Sequence, residues 1–131
     1  MVSGGFDPIH IGHLRMFAAA KELGDELLVV INCDRWLIKK KGKFLMNSAD
    51  RAELIGALRY VDFVYVLETN SNDVGEAIEL FQPDIFANGG DRRSEKDIPE
   101  TEICKKLSVQ MMFNVGGHIL RSSSGLLRNY H

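Results

Sequence analysis

The chain has 131 residues, the size of one ordinary domain, and at 45% apolar and 26% charged it has the composition of a globular protein with a single core over 1–131. Its 16 basic and 18 acidic residues give a net charge of −2, which excludes a global positive field for nucleic acid or an anionic membrane, so any anion must be held by a local cluster. Cys33 and Cys104 match no metal-ligand spacing, there is no basic leader, and the longest aliphatic run, residues 27–31, is far short of the ~20 that span a bilayer; the expectation is a cytoplasmic, membrane-free protein.

Short apolar runs alternate with segments of helical spacing. A very short first strand over 1–3 is broken by Gly4-Gly5, and a helix over 11–23 ends at Gly24. A second strand covers 27–31, and after Asp34 the run Lys39-Lys40-Lys41-Gly42-Lys43 reads as a flexible basic loop. Then come a helix over 48–58, a strand over 63–67, a helix over 72–81 stopped by Gln82-Pro83, a strand over 84–87, a helix over 100–107 and a strand over 109–113. Continuous, partly β-branched strands are those of a sheet covered on both faces. The expected fold is therefore α/β, a Rossmann-like doubly wound five-stranded parallel sheet with helices on both faces and its ligand crevice beyond the carboxyl ends of the strands.

Chemistry is concentrated in the loops at those ends. After the first strand, Gly4-Gly5-Phe6-Asp7-Pro8-Ile9-His10-Ile11-Gly12-His13 runs straight into a helix. It resembles the HxGH signature of the nucleotidyltransferases that include the cytidylyltransferases and the class I aminoacyl-tRNA synthetases. Glycines let backbone approach a phosphate, and a helix start offers N–H groups and a positive dipole end. Two imidazoles at i and i+3 share a face and suit the α-phosphate of a nucleoside triphosphate, whose charge grows during transfer. The resemblance implies catalytic roles for His10 and His13 and nucleotide contacts for Gly5, Phe6 and Asp7. The competing reading is a pair of surface histidines on a metal, for which His118 and His131 are the only further histidines and neither has a ligand spacing.

The likeness extends along most of the chain. Gly56-Ala57-Leu58, Val61-Asp62, Pro83-Asp84 and Gly89-Gly90-Asp91 follow in the order of the adenylyltransferase domain of ADP-heptose synthase. The glycerol-3-phosphate cytidylyltransferases are similar through Asp34, the lysines and Arg51. Ammonium groups on a loop suit closure over a triphosphate, and the resemblance points to Lys40 and Lys41 as catalytic; the alternative is a solvated charge run. Arg51, in the first turn of a helix, calls for an answering anion, either a ligand or the carboxylates of Asp50 or Glu53. The resemblance places Gly89, Gly90 and Asp91 beside the nucleotide, with Arg92 and Arg93 departing from the pattern. Arg121-Ser122-Ser123-Ser124-Gly125-Leu126-Leu127-Arg128 looks like the Ser/Thr-rich motif opening the last helix of this superfamily, in which Ser122, Ser123, Ser124 and Arg128 would cradle the β and γ phosphates. A plain serine N-cap is the alternative.

These features imply a nucleotidyltransferase that moves AMP or CMP from a nucleoside triphosphate to a small phosphorylated acceptor such as a sugar 1-phosphate, with Mg²⁺ carried by the triphosphate and no protein metal site. The alternatives are cytidylyl transfer to glycerol 3-phosphate or a similar phosphate monoester, and a nucleotide-binding module without catalysis. Lipopolysaccharide core biosynthesis is the implied setting. Trp36 and Phe44, read as exposed apolar residues near the lysines, are candidates for a homodimer interface.

Overall fold

The computed structural model describes residues 1–89 and 98–116. In chain order these form β1 (Val2–Gly4), α1 (Ile11–Lys21), β2 (Leu28–Asn32), α2 (Asp34–Lys41), α3 (Ser48–Gly56), β3 (Phe63–Leu67), α4 (Gly75–Phe81), β4 (Ile85–Ala87), α5 (Thr101–Leu107) and β5 (Gln110–Met112). All described strand pairs are parallel: β2 lies between β1 and β3, with Val29 opposite Val2 and Val64, and β4 pairs with β5.

In place of one continuous five-stranded ladder there is a three-stranded and a two-stranded one. Met1 joins them, its nitrogen donating to Ile85 O at 2.8 Å and its carbonyl accepting from Ala87 N at 2.9 Å. The strands thus run in the order β3-β2-β1-β4-β5. The ladder is interrupted because β1 has only three residues. The order reverses between β1 and β4, which is where a doubly wound sheet opens its crevice.

Alternation along the central strands sends side chains into two cores. Val29 and Ile31 of β2 pack with Phe17 and Ala20 of α1 and Ile55 of α3. Val30, between them, joins Ala77 and Ile78 of α4 and Cys104 of α5 on the other side. Both faces are covered, as the strand composition requires, and each such aliphatic side chain contributes about 1.5–3 kcal/mol by leaving water. Asp62 ties the layers at the base of the sheet: its Oδ2 accepts from Leu27 N at 2.7 Å and pairs with Lys21 at the end of α1.

Two elements depart from expectation. Lys39, Lys40 and Lys41 are not in a loop; they form the last turn of α2, with Asp34 in the first turn and Gly42 closing the helix at φ 83°, and only Lys43 lies beyond it. Acid at the start and base at the end both complement the helix dipole, and the Gly42 N–H returns to Ile38 O at 2.8 Å. α4 starts at Gly75, later than expected, because the preceding polar residues fold onto their own backbone. Thr69 Oγ1 accepts from Ser71 N at 3.0 Å and Asp73 Oδ1 from Gly75 N at 2.9 Å, local bonds that compete with a helix. Among the described residues no helix is long and apolar enough to cross a membrane.

Candidate active site

The loop after β1 turns sharply into α1. Phe6 takes up a left-handed conformation at φ 51°, which drops its ring into the core beneath His13, edge-on at 5.0 Å, and against Phe17 at 5.2 Å. His10 is the N-cap of α1. Its Nδ1 accepts from Gly12 N at 3.1 Å, and His13 Nδ1 accepts from His10 N, also at 3.1 Å. The two rings stack with centroids 3.8 Å apart.

That arrangement changes the expected chemistry of the turn. Two backbone N–H groups at this helix start, those of His10 and Gly12, are taken by the imidazoles. Because each Nδ1 is an acceptor, the hydrogen bonding assigns the proton of each neutral ring to Nε2. The helix start therefore offers two imidazole Nε2–H donors. Burial, helped by the charges of His10 and Lys41, pushes His13 down to about 4, so this donor is a neutral imidazole at ordinary pH. Gly12 is required by the same geometry: a Cβ there would lie 2.9 Å from His10 Cε1.

Gly5, Phe6 and Asp7, expected to touch nucleotide, have partners within the protein. The Phe6 ring is core. Gly5 lies under α2, where a Cβ would meet Leu37 Cδ2 at 2.9 Å, and its carbonyl accepts from Arg51 Nη1 at 2.7 Å. Asp7 is buried, and its carboxylate oxygens accept from Leu45 N at 2.7 Å and Met46 N at 2.8 Å.

Arg51 answers to neither Asp50 nor Glu53. It is only 1% exposed, and its guanidinium donates to Met46 O at 2.9 Å, to Gly5 O and Asn32 O at 2.7 Å, and to Asp34 Oδ1 at 2.7 Å. The cation is thus engaged by the ends of β1 and β2, the start of α2 and the segment before α3, with one donor for each acceptor in its planar fork. The tertiary fold surrounds it with carbonyls, so the anion it called for is Asp34. Sequence reasoning missed Asn32 and Met46 in this cluster, since a backbone acceptor carries no signature in residue type.

α2 separates the lysines. Lys41 Nζ lies 3.4 Å from Asp7 O, and its charge is one of those that lower the pKa of His13. Lys40 sits over the Trp36 ring at 5.6 Å, and Lys39 reaches Asn70 O at 3.4 Å. Trp36 is half-buried, not exposed, and its indole N–H donates to Asn72 O at 3.2 Å, pinning α2 to the loop after β3; Phe44 does remain exposed. Gly89 follows the buried Asn88, whose N–H donates to Met112 O at 2.9 Å, so it stands at the carboxyl end of β4. Gly90, Asp91, Arg92, Arg93, Ser122, Ser123, Ser124, Arg128, His118 and His131 lie outside the described residues. Among the described residues no group of three His, Cys, Asp or Glu side chains could hold a metal ion.

Sequence and fold both have known relatives. The model of the family described as cytidylyltransferase-like matches residues 1–115. The chain is 43% identical over 93 residues to the FAD synthase of Pyrococcus abyssi, an alignment covering 70% of this chain and 62% of that one. It is 36% identical over 109 residues to the bifunctional protein HldE of a Nitratiruptor species, covering 82% of this chain and 23% of the relative. A solved structure, that of the lipopolysaccharide core biosynthesis protein from Thermoplasma volcanium, superposes with a TM-score of 0.70 at 29% identity, over 86% of this chain and 90% of that one. The aligned part thus spans 62% of the length of the Pyrococcus relative.

Proposed function

This chain belongs to the cytidylyltransferase-like family, and on that footing we propose that it transfers an adenylyl group from ATP to a small phosphorylated acceptor and releases pyrophosphate. The observation that carries the reading is the histidine turn, in which His10 and His13 cap α1 through Nδ1 and keep Nε2–H as donors. An acceptor phosphate oxygen attacks the α-phosphorus, and the bond from that phosphorus to the bridging oxygen of pyrophosphate breaks. The acceptor is already anionic, so no general base is needed. The two Nε2–H groups and the positive end of α1 stabilise charge that increases on the α-phosphate, and Lys41, with Lys40 behind it, neutralises the phosphates opposite. Mg²⁺, held mainly by the triphosphate oxygens, would offset part of their charge.

Gly89, Gly90 and Asp91 are assigned to the nucleoside, and Ser122, Ser123, Ser124 and Arg128 to the β and γ phosphates, on the resemblance of their motifs. For the acceptor, the run through Gly89-Gly90-Asp91 favours a sugar 1-phosphate, as in the ADP-heptose synthase domain. Similarity to FAD synthase favours a second phosphate monoester, FMN. Cytidylyl transfer to glycerol 3-phosphate completes the set. The test is a matrix of ATP and CTP against heptose 1-phosphate, FMN and glycerol 3-phosphate, read as pyrophosphate release. One productive pair identifies the reaction. Nucleotide binding without pyrophosphate from any pair overturns the enzyme reading in favour of a binding module.

A further inference from the structure

Lys41, at the end of α2, lies on the side of His13, yet α2 buries only one residue fully, Leu37. Burial of one side chain is a weak anchor for a helix that must hold a cation in place. What restrains it lies at its two ends. At the first residue, Asp34 is bonded to Arg51 Nη2 at 2.7 Å. Beyond Gly42, the Leu45-Met46 segment is gripped from both sides: its two N–H groups donate to the Asp7 carboxylate at 2.7 and 2.8 Å, and Met46 O accepts from Arg51 Nε at 2.9 Å. The same guanidinium bonds Gly5 O and Asn32 O, and so fixes both grips to the ends of β1 and β2. Lys41 itself reaches the Asp7 carbonyl.

We propose that Arg51 and Asp7 are positioning residues rather than nucleotide ligands: together they clamp α2 at both ends and hold Lys41 beside the His10–His13 pair. Arg51 is suited to this because its planar fork serves four acceptors at once, which a lysine ammonium with three donors cannot do. Asp7 is suited because a carboxylate accepts two adjacent N–H groups, whereas an amide replaces one of those acceptors with a donor. The effect on chemistry rests on the transfer reaction proposed above, but the clamp can be read without it.

The experiment compares Asp7→Asn, Arg51→Lys and Lys41→Ala, singly and with Lys41→Ala combined with each of the others. The reaction-independent readout is the titration of the His13 ring followed by NMR, since Lys41 is one of the charges that lowers it, together with His10 and burial. Asp7→Asn and Arg51→Lys should each raise the His13 midpoint in the direction that Lys41→Ala does, and neither should raise it further once Lys41 is gone. In the productive pair of the pyrophosphate assay, each single variant should lower kcat about tenfold with a much smaller change in triphosphate affinity, and the double variants should be no slower than Lys41→Ala alone. An unchanged His13 midpoint in both variants overturns the clamp, as does a loss in triphosphate affinity equal to the loss in kcat, which would mark direct ligands. If Asp7→Asn fails to fold, Arg51→Lys alone decides by the same criteria, and amide exchange at Leu45 and Met46 provides a further readout: acceleration supports the clamp and unchanged protection refutes it. Absence of pyrophosphate release from wild-type protein counts against the proposed reaction alone, and the NMR result stands apart from it.

Discussion

The histidine pair and the end of α2 are held in opposite ways. The histidine turn is a local device: its two defining bonds join residues two and three positions apart, and the cap, the ring stack and the glycine that makes room for them all lie within residues 10–13. The end of α2 is a tertiary device, fixed by Asp7 from 38 and 39 residues away and by Arg51, which bonds residues 46 and 19 positions upstream. A local device forms wherever its helix forms. The tertiary one exists only when β1, β2 and α3 have all docked, so it is the part of the site that other changes in the protein can disturb.

The largest expected effect breaks the local side. Under the proposed role of each Nε2–H on charge that develops in the transition state, His10→Ala or His13→Ala should lower kcat by a factor of ~10²–10³ with a far smaller change in nucleotide affinity. Equal losses in rate and affinity would show that the rings only bind. The corresponding break on the tertiary side is Arg51→Ala, which leaves three carbonyls and Asp34 without their donor. It should cost about 3 kcal/mol of unfolding free energy in urea denaturation, and a value below about 1 kcal/mol would mean that the cluster relaxes without it.

Acid should separate the two devices. His13 is lowered from 6.5 to about 4 by burial, then by His10 and Lys41, so the folded state prefers the neutral ring. The sign follows: this contribution is full above about 6.5, declines as pH falls from there towards 4, and is constant below. In urea midpoints measured from about pH 7 to 4, His13→Asn should flatten that part of the decline, while a Lys41→Ala chain should retain a weakened form of it. An identical decline in wild type and His13→Asn would place the titration elsewhere.

Two smaller changes sharpen the contrast. Gly12→Ala brings a Cβ to 2.9 Å from the His10 ring; the ring must move, and kcat should fall about tenfold while global stability changes by less than about 1 kcal/mol. Gly42→Ala at φ 83° should instead cost about 1 kcal/mol through the left-handed C-cap of α2, measured by denaturation. A larger rate loss from Gly42→Ala than from Gly12→Ala would reverse the assignment of local and tertiary control.

The signals for α2 were present in the sequence. Asp34 at the start, three lysines at the end and Gly42 after them are a helix pattern, but a cluster of like charges is equally that of a solvated loop, and with only Leu37 fully buried there is little apolar periodicity to decide between them. By contrast, α1 and α3 were legible because Phe17 and Ala20 in the one, and Ala52 and Ile55 in the other, stand three residues apart on the core side. The His10 and His13 pair was legible as a motif, although its hydrogen bonding was not: that the rings take the backbone donors and present Nε2–H depends on side-chain torsions that no residue spacing reports.

Sequence alone determined the α/β class, the covering of both sheet faces and the position of the histidine turn at the carboxyl end of β1, because continuous β-branched runs, helical periodicity and glycine placement are all short-range properties of the chain. Only the tertiary structure decided that Arg51 answers to Asp34 and to three carbonyls, that Asp7 grips Leu45 and Met46, and that Lys41 rather than Lys39 turns towards the histidines. The reason is that the carbonyls and amides which select these partners belong to the backbone, identical at almost every residue, and only folding brings particular ones within hydrogen-bonding distance of a given side chain.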